Sequence, residues 1–196
     1  MIYLIRHGMT AANERRLYCG SSDLPLSDAG RRALEEKRGQ ARYPEAQGAK
    51  LISSGMRRCD ETALLLFGRE PDCRVDGLRE INFGRFELHS YAELCADADY
   101  QAWITDESGC AAPPGGEAAN AFGARVAAAI KGVPDGAITV CHGGVIAALM
   151  ARWFPEEGKH IYAWQPDFGE GYAVSLSEND IYYIKIPFFD DKTKHI

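Results

Sequence analysis

Three clusters in this 196-residue chain carry side chains suited to holding a phosphate: Arg6-His7-Gly8, Ser53-Ser54-Gly55-Met56-Arg57-Arg58 and His142-Gly143-Gly144. An arginine presents a planar fork that bonds two oxygens of one anion at once. Helix N-termini near Gly55 and Gly144 would add backbone N–H groups that favour negative charge. Taken alone, each piece has an ordinary explanation. Arg58 reads as a solvated helix arginine and His142 as a core histidine bonded to a carbonyl.

What raises the clusters above accident is their common setting. Ile2 to Ile5, Ala49 to Ile52 and Ala137 to Cys141 are short apolar runs that read as buried strands, and each ends at one cluster. Ligands of open parallel sheets bind at the carboxyl ends of strands, so one sheet edge would gather all three clusters. Helical spacing joins Met56, Cys59, Ala63 and Phe67, with Gly68 closing the helix, and Ser27 caps a helix predicted to reach about Tyr43. A further helix is predicted from Val145 to Trp153. Residues 90 to 132 are Ala-rich and broken at Pro113-Pro114-Gly115-Gly116, which predicts two helices flanking the break, off the sheet. Ala173 to Leu176 and Ile181 to Ile186 predict an antiparallel pair turning at Glu178-Asn179-Asp180. The expected fold class is therefore α/β: a three-layer sandwich with a mainly parallel central sheet, helices on both faces and a small helical excursion over the site edge. A single domain over 1–196 is expected, with the insertion at about 85–133 and a frayed tail at about 190–196.

Composition narrows the partners. Twenty-two Lys and Arg against 28 Asp and Glu leave a net charge of −6, a poor balance for general binding of nucleic acid or a membrane surface. Any anion must be held by a local arginine cluster. No apolar run approaches the ~18 residues of a membrane span. The apolar start, Met1 to Ile5, lacks the cationic flank and small-residue cleavage site of an export signal, so the expected compartment is the cytoplasm. The six cysteines contain no Cys-x-x-Cys pair and the five histidines no metal-ligand spacing. Reduced thiols and no metal site or other cofactor are expected.

The order of the blocks carries a resemblance. Arg6-His7-Gly8 is followed by Thr10 and Asn13. Next come Gly20-x-x-Asp23-x-Pro25-Leu26-Ser27-x-x-Gly30 and Ser53-Ser54-x-x-x-Arg58-x-x-Glu61-Thr62-Ala63. Leu78-Arg79-Glu80-Ile81-Asn82-Phe83-Gly84 with Glu87, then Pro113-Pro114-Gly115-Gly116-Glu117 and His142-Gly143-Gly144, complete the series. Together they resemble the histidine phosphatase superfamily in its phosphoglycerate-mutase-like branch. The Glu80 and Pro-Pro-Gly-Gly-Glu blocks are most like its small bacterial members, among them α-ribazole phosphatases and broad-specificity phosphatases.

The resemblance implies a metal-independent phosphomonoesterase acting on a small phosphorylated metabolite, with α-ribazole phosphate the best single candidate. It assigns the nucleophile to His7, the oxygen-neutralising groups to Arg6, Arg58 and His142, and the general acid to Glu80. Asn13, Cys19, Gly20 and Gly143 are implied around the phosphate or substrate. Glu87 is read as holding the loop, and His89 is given no role. On residue types alone, Glu80 reads as an ion-pair partner of Arg79 or Arg85. Two rivals are a phosphomutase in the same pocket, which would need a bisphosphate primer, and a catalytically silent phosphate-binding regulator, which would be expected to have lost His7 or Glu80. Partners other than a small phosphate ester are not expected, and the chain is read as a monomer or homodimer.

Departures from the family pattern include Met9, Ala12, Cys19, Gly55, Leu88 and Cys141. Leu88 stands where glycine is usual after Glu87. None removes a charge-handling group, but Cys19 and Leu88 fall near the leaving-group side and bear on substrate choice. Cys19 and Cys141 also predict an oxidation-sensitive site, should either thiol ionise readily.

Overall fold

The computed structural model describes residues 1–177 and 180–189. In chain order the elements are β1 (Ile2–Arg6), α1 (Ala11–Glu14), α2 (Asp28–Gln40), β2 (Ala41–Arg42), β3 (Leu51–Ser53), α3 (Arg57–Phe67), β4 (Cys73–Arg74), α4 (Tyr91–Leu94), α5 (Ala98–Ile104), α6 (Ala119–Ala129), β5 (Ile138–Cys141), α7 (Gly143–Trp153), β6 (Gly171–Ser177), β7 (Asp180–Ile186) and β8 (Phe188–Phe189). Six strands form one sheet in the order β4-β3-β5-β1-β6-β7. β4, β3, β5 and β1 run parallel, while β6 is antiparallel to both β1 and β7.

Both faces of this sheet are covered, which is why its central strands read as unbroken apolar runs. Alternate residues serve opposite cores. Leu4, Ile52 and Val174 pack with α6 and α7 through Phe122, Val126, Ile146 and Met150. Ile5, Leu51 and Val140 pack with α2 and α3 through Leu34, Cys59, Ala63 and Leu66. The helices begin and end where local chemistry directs. Ser27 accepts the Gly30 N–H at the start of α2, and Gly68 ends α3 in the left-handed region at φ +72°.

The expected fold class holds, with several boundaries moved. α2 stops at Gln40 rather than about Tyr43, because Ala41 and Arg42 pair with Phe189 and Phe188 in a second, two-stranded sheet. Tyr43 turns away to donate its hydroxyl to the Gly169 carbonyl at 2.8 Å. A pairing across so much sequence overrides local helical tendency. β3 begins at Leu51 rather than Ala49, and β4 is too short to leave a periodic signal. α7 starts at Gly143, two residues before the predicted Val145, because its first turn is the glycine pair that sequence propensity marks as non-helical. The antiparallel pair is longer than predicted, at the start of its first strand and on both sides of the turn, spanning Gly171–Ser177 and Asp180–Ile186. Of its predicted turn, 178 and 179 lie outside the described residues, as does the predicted frayed tail at 190–196.

Between β4 and β5 the chain leaves the sheet. α4 and α5 precede the Pro113–Gly116 break and α6 follows it, so the helical content ahead of the break is split in two. Capping chemistry explains the split: Ser90 and Glu93 cap α4 reciprocally, and Asp97 caps α5. An aromatic cluster of Tyr18, Phe83, Phe86, Tyr100 and Trp103 ties these helices to the loop after Glu80. The break itself docks on that loop. Arg85 donates its N–H to the Pro114 carbonyl at 2.9 Å and Glu117 donates to the Asn82 carbonyl at 2.8 Å.

Candidate active site

Sheet register brings the clusters together. Arg6 pairs with Cys141, and Ser53 pairs with Val140, so β1, β5 and β3 end level. One residue on, His7 donates its N–H to the Cys141 carbonyl at 2.9 Å, and Ser54 donates to the Val140 carbonyl at 3.2 Å. The imidazoles of His7 and His142 consequently lie edge to face, 5.1 Å between centroids.

His7 is only 5% exposed. Its Nδ1 lies 2.6 Å from the Gly8 carbonyl oxygen. That oxygen can only accept, so the proton sits on Nδ1 and the Nε2 lone pair is left for chemistry. Burial, reinforced by the Arg58 charge, holds the ring's pKa well below the usual imidazole value. Gly8 donates its N–H to Thr62 Oγ1 at 2.9 Å, and Thr62 in turn donates to the Arg58 carbonyl at 2.6 Å. The loop after β1 is thus laced to the helix that carries Arg58. His142 is fully buried and neutral for the same causes. Its Nδ1 accepts from Arg58 Nε at 3.3 Å, which leaves the proton on Nε2, 2.8 Å from Ser54 Oγ.

Arg58 is wholly buried. It donates to the carbonyls of Ser22 at 2.8 Å and Gly20 at 2.7 Å. No carboxylate among the described residues bonds it. Arg6 donates to the Pro166 carbonyl at 2.7 Å, and its guanidinium carbon lies 3.9 Å from the Phe168 ring centroid. Its Nε is buried with no partner among the described residues. Burial lowers its pKa, while the charges of Glu80 and Asp167 work the other way. Two enclosed guanidiniums beside two neutral imidazoles make a positive pocket suited to an anion.

Glu80 is the carboxylate of this pocket. Its Oε2 accepts the Gly144 N–H at 2.9 Å and its Oε1 the Ile81 N–H at 3.1 Å. Burial raises its pKa above the usual carboxylate value, against the pull of those two N–H groups and of Arg58 and Arg6. The ion pairs suggested by residue types are not formed: Arg79 pairs with Asp76 at 3.3 Å, and Arg85 with Asp97 and Asp99 at 2.9 Å. Glu80 instead lines two cavities. One is an open trough of about 520 Å³ bordered by Asp76, Arg79, Asn82, Glu117 and Arg125. The other is an apolar slot of about 400 Å³ with Phe83, Trp103, Phe122, Ala147 and Ala148. His7, Arg6, Arg58 and His142 line neither.

The remaining predicted residues divide. Asn13 commits its Oδ1 to Thr10 in a reciprocal cap of α1, so only its Nδ2 end could reach a ligand. Gly20 has no free amide. Its N–H goes to Glu87 at 3.1 Å and its carbonyl to Arg58, while an added Cβ would strike the Ile81 carbonyl. It therefore seats Arg58 rather than presenting a donor. Gly143 lies beneath Gln165, whose side chain occupies the space a Cβ would need. The Gly144 N–H, expected as a free anion donor, is taken by Glu80. Cys19 turns its thiol toward the Ser22 carbonyl at 3.9 Å. Burial pushes the pKa of Cys19 up and that of Cys141 up further, so neither thiol has the thiolate character that oxidation sensitivity requires. His89 is exposed and bonded to the Glu87 carbonyl at 2.9 Å. His195 lies outside the described residues.

Glu87 gathers a loop around itself. Its carboxylate accepts the N–H groups of Gly20, Ser21, Ser22 and Phe83 at 2.8 to 3.2 Å. Leu88 beside it holds φ +60°, a conformation that glycine adopts freely and leucine does not. Sequence reasoning missed Phe168, Pro166 and Gln165. They belong to the irregular stretch before β6, which has no motif. The antiparallel neighbour relation of β6 to β1 places Pro166 and Phe168 beside Arg6, and Gln165 over Gly143. Among the described residues no three His, Cys, Asp or Glu side chains gather as a metal site, and no helix is long and apolar enough to cross a membrane.

Residues 2–182 match the family model described as histidine phosphatase superfamily (branch 1). The chain belongs to that superfamily. It is 30% identical over 186 residues to the adenosylcobalamin/alpha-ribazole phosphatase of Salmonella typhimurium, covering 90% of this chain and 91% of that one. It is 33% identical over 168 residues to the glucosyl-3-phosphoglycerate phosphatase of Mycobacterium tuberculosis, covering 76% and 73% of the two chains. The alpha-ribazole phosphatase structure from Shigella flexneri superposes with a TM-score of 0.77 at 25% identity, covering 96% of each chain. The chain is thus an enzyme, a phosphatase of the histidine phosphatase superfamily, whose substrate is a small phosphate ester.

Proposed function

We propose that this phosphatase hydrolyses its ester through a phosphohistidine on His7. The observation that carries the reading is the pairing of a neutral His7, its Nδ1 proton fixed on Gly8, with a Glu80 whose raised pKa favours the protonated form. Nε2 attacks phosphorus as the bond to the leaving oxygen breaks, and the Glu80 proton passes to that oxygen. Glu80, now a carboxylate, takes a proton from water. The water oxygen attacks phosphorus, the P–N bond breaks, and inorganic phosphate leaves. Arg6 and Arg58 neutralise the non-bridging oxygens, and the His142 Nε2–H, given to Ser54 in the free site, is the further donor. In many enzymes such preorganised charge lowers the barrier more than any other effect, with ~3 kcal/mol from one well-placed donor. Asn13 Nδ2 and the Gly143 N–H complete the cradle, with the 85–133 segment acting as its cap. The arginines carry the charge work, so no cofactor enters the scheme.

The substrate is a small phosphorylated metabolite. α-Ribazole phosphate is our leading candidate, supported by the names of the relatives. No observation favours a mutase. The two cations lining the trough, Arg79 and Arg125, are already paired with Asp76 and Glu117, so a second anionic group would meet no spare charge there. The test is steady-state hydrolysis of p-nitrophenyl phosphate in EDTA, with acid-quenched trapping of the phosphoenzyme. His7→Ala should lose turnover by about a thousandfold or more and trap no label. Activity surviving in that variant would overturn the mechanism.

A further inference from the structure

We propose that β7 is the interface of a two-fold homodimer, in which the edge strands of two copies of this chain pair antiparallel about Tyr183 and join their sheets into one. The inference is independent of the proposed mechanism.

β7 is the last strand on its side of the six-stranded sheet. The register fixes which way its backbone groups point. Arg6 donates its N–H to the Glu170 carbonyl at 2.8 Å. Even-numbered residues of β6 therefore turn their N–H and C=O groups toward β1, and odd-numbered ones turn theirs toward β7. Gly171, Ala173 and Ser175 lie opposite Ile186, Ile184 and Tyr182. The groups of the residues between, Ile181, Tyr183 and Lys185, consequently face outward, with no backbone partner among the described residues. A row of unmet N–H and C=O groups on a sheet edge is a template for another strand. The side chains add to the pull. Ile181 is 56% exposed, Ile184 43% and Tyr182 38%. No proline interrupts the strand, and Lys185 is its one cation, so the usual protections of an edge are nearly absent.

The occupant is a second copy because the strand complements itself when reversed. With the axis at Tyr183, that residue meets its own counterpart, and Ile181 of each copy meets Lys185 of the other. All the outward groups of these three residues are then paired. On the face shared with Ile186, which packs into the α2–α3 core, Tyr182 of each copy stands opposite Ile184 of the other. Aromatic and β-branched residues so placed stabilise a sheet. Charge fixes the direction. Asp180 opens β7 and Lys185 lies near its end, so an antiparallel copy brings each acidic end to the other's basic end, whereas a parallel one sets like beside like. A pairing of this length buries roughly 1,000 Å² in total, near the lower limit for a specific interface, and a weak dimer in the micromolar range is expected.

Sedimentation velocity from about 1 to 200 µM reads the association directly. Wild type should pass from monomer to dimer across that range. Ile184→Lys sets a charge against Tyr182 of the other copy and should weaken association by about 30-fold or more. Ile181→Pro is the second variant. The N–H it removes faces outward, so β7 keeps its bonds to β6 while the template is broken. Both variants should retain the far-ultraviolet circular dichroism and p-nitrophenyl phosphate turnover of wild type. The register is read by disulfide trapping in a Cys95→Ser/Cys110→Ser background, which removes the two exposed thiols. An equimolar mixture of Tyr182→Cys and Ile184→Cys chains under air should yield covalent dimer faster than either variant alone, because directly opposite residues fall within disulfide reach. A wild type that stays monomeric throughout, a dimer that both edge variants leave intact, or a mixture that cross-links no faster than its components would overturn the proposal.

Discussion

The guanidinium carbon of Arg6 lies 3.9 Å from the centroid of the Phe168 ring, and the same ring stands 5.9 Å from that of His7. One half-buried phenyl group thus packs on Arg6, proposed to bind phosphate, and borders the proposed nucleophile. A cation–π contact of this kind contributes about 0.5–2 kcal/mol. Phe168→Ala should weaken inhibition by inorganic phosphate by roughly 3- to 30-fold, read as Ki. Phe168→Tyr, which keeps the ring face, should restore most of it. A Ki unchanged in Phe168→Ala would mean that Pro166 alone positions Arg6.

Glu80 and Gly144 give the second prediction. A Cβ on Gly144 would run into the Glu80 carboxylate. Gly144→Ala should displace that carboxylate while leaving His7 and both arginines in place. Turnover of an alkyl phosphate should fall by about a hundredfold. p-Nitrophenyl phosphate should suffer much less in the phosphorylation step, since nitrophenolate leaves without a proton. Equal losses on both esters would show that Gly144 matters for the phosphate cradle rather than for the acid.

The pH dependence follows from two displaced titrations. The proposed mechanism needs a neutral His7, whose pKa lies well below the usual imidazole value, and a protonated Glu80, whose pKa lies above the usual carboxylate value. For an alkyl phosphate, kcat/KM should fall as pH rises through the raised Glu80 pKa, and on the acid side only below the lowered His7 pKa. Glu80→Gln should erase the alkaline limb. Stability moves with the same groups. The unfolded chain protonates His7 and His142 near pH ~6.5, whereas the folded chain resists. Their contribution is present above that pH and is lost as pH falls below it. Glu80 opposes this, because its raised pKa contributes stability that is present at low pH and lost as pH rises. In Glu80→Gln, with that opposition removed, Tm should decline steadily from pH 7 to pH 5.

Glu87 supports a prediction about architecture rather than chemistry. Its carboxylate satisfies four backbone N–H groups, and two of those residues, Gly20 and Ser22, offer the carbonyls that seat Arg58. Glu87→Ala should destabilise by about 3 kcal/mol and lower Tm by roughly 10 °C in a thermal melt. Phosphate affinity should drop with it, since Arg58 loses its anchors. A variant with a wild-type melting curve would show that water replaces the carboxylate without cost.

Much of the site is legible in the chain because the relevant signals are local. An apolar run ending at a charged or glycine-rich cluster marks a strand end, and β1, β3 and β5 each show one. Caps such as Ser27 and stops such as Gly68 are likewise chosen by residues a few positions away. The misreadings cluster where distant pairing decides. Ala41 and Arg42 leave the helix for Phe188 and Phe189, and the glycine pair at the start of α7 becomes helical because the strand before it aims it at Glu80. The 165–168 stretch, with no periodicity at all, supplies the platform for Arg6.

By itself the sequence determined the residue types and their order: two histidines and two arginines at strand ends, a carboxylate in its own loop, and apolar runs that must be buried on both faces. Those are matters of hydrophobic period and local capping, which act over a few residues. Tertiary structure alone decided the rest. It set His7 and His142 at 5.1 Å through the β1–β5 register, seated Arg58 on backbone carbonyls, gave the Gly144 N–H to Glu80, and placed that carboxylate at the border of an open trough and an apolar slot. The reason is physical: charge state, tautomer and cavity shape depend on which groups lie within a few ångströms, and those neighbours come from chain segments far apart in sequence.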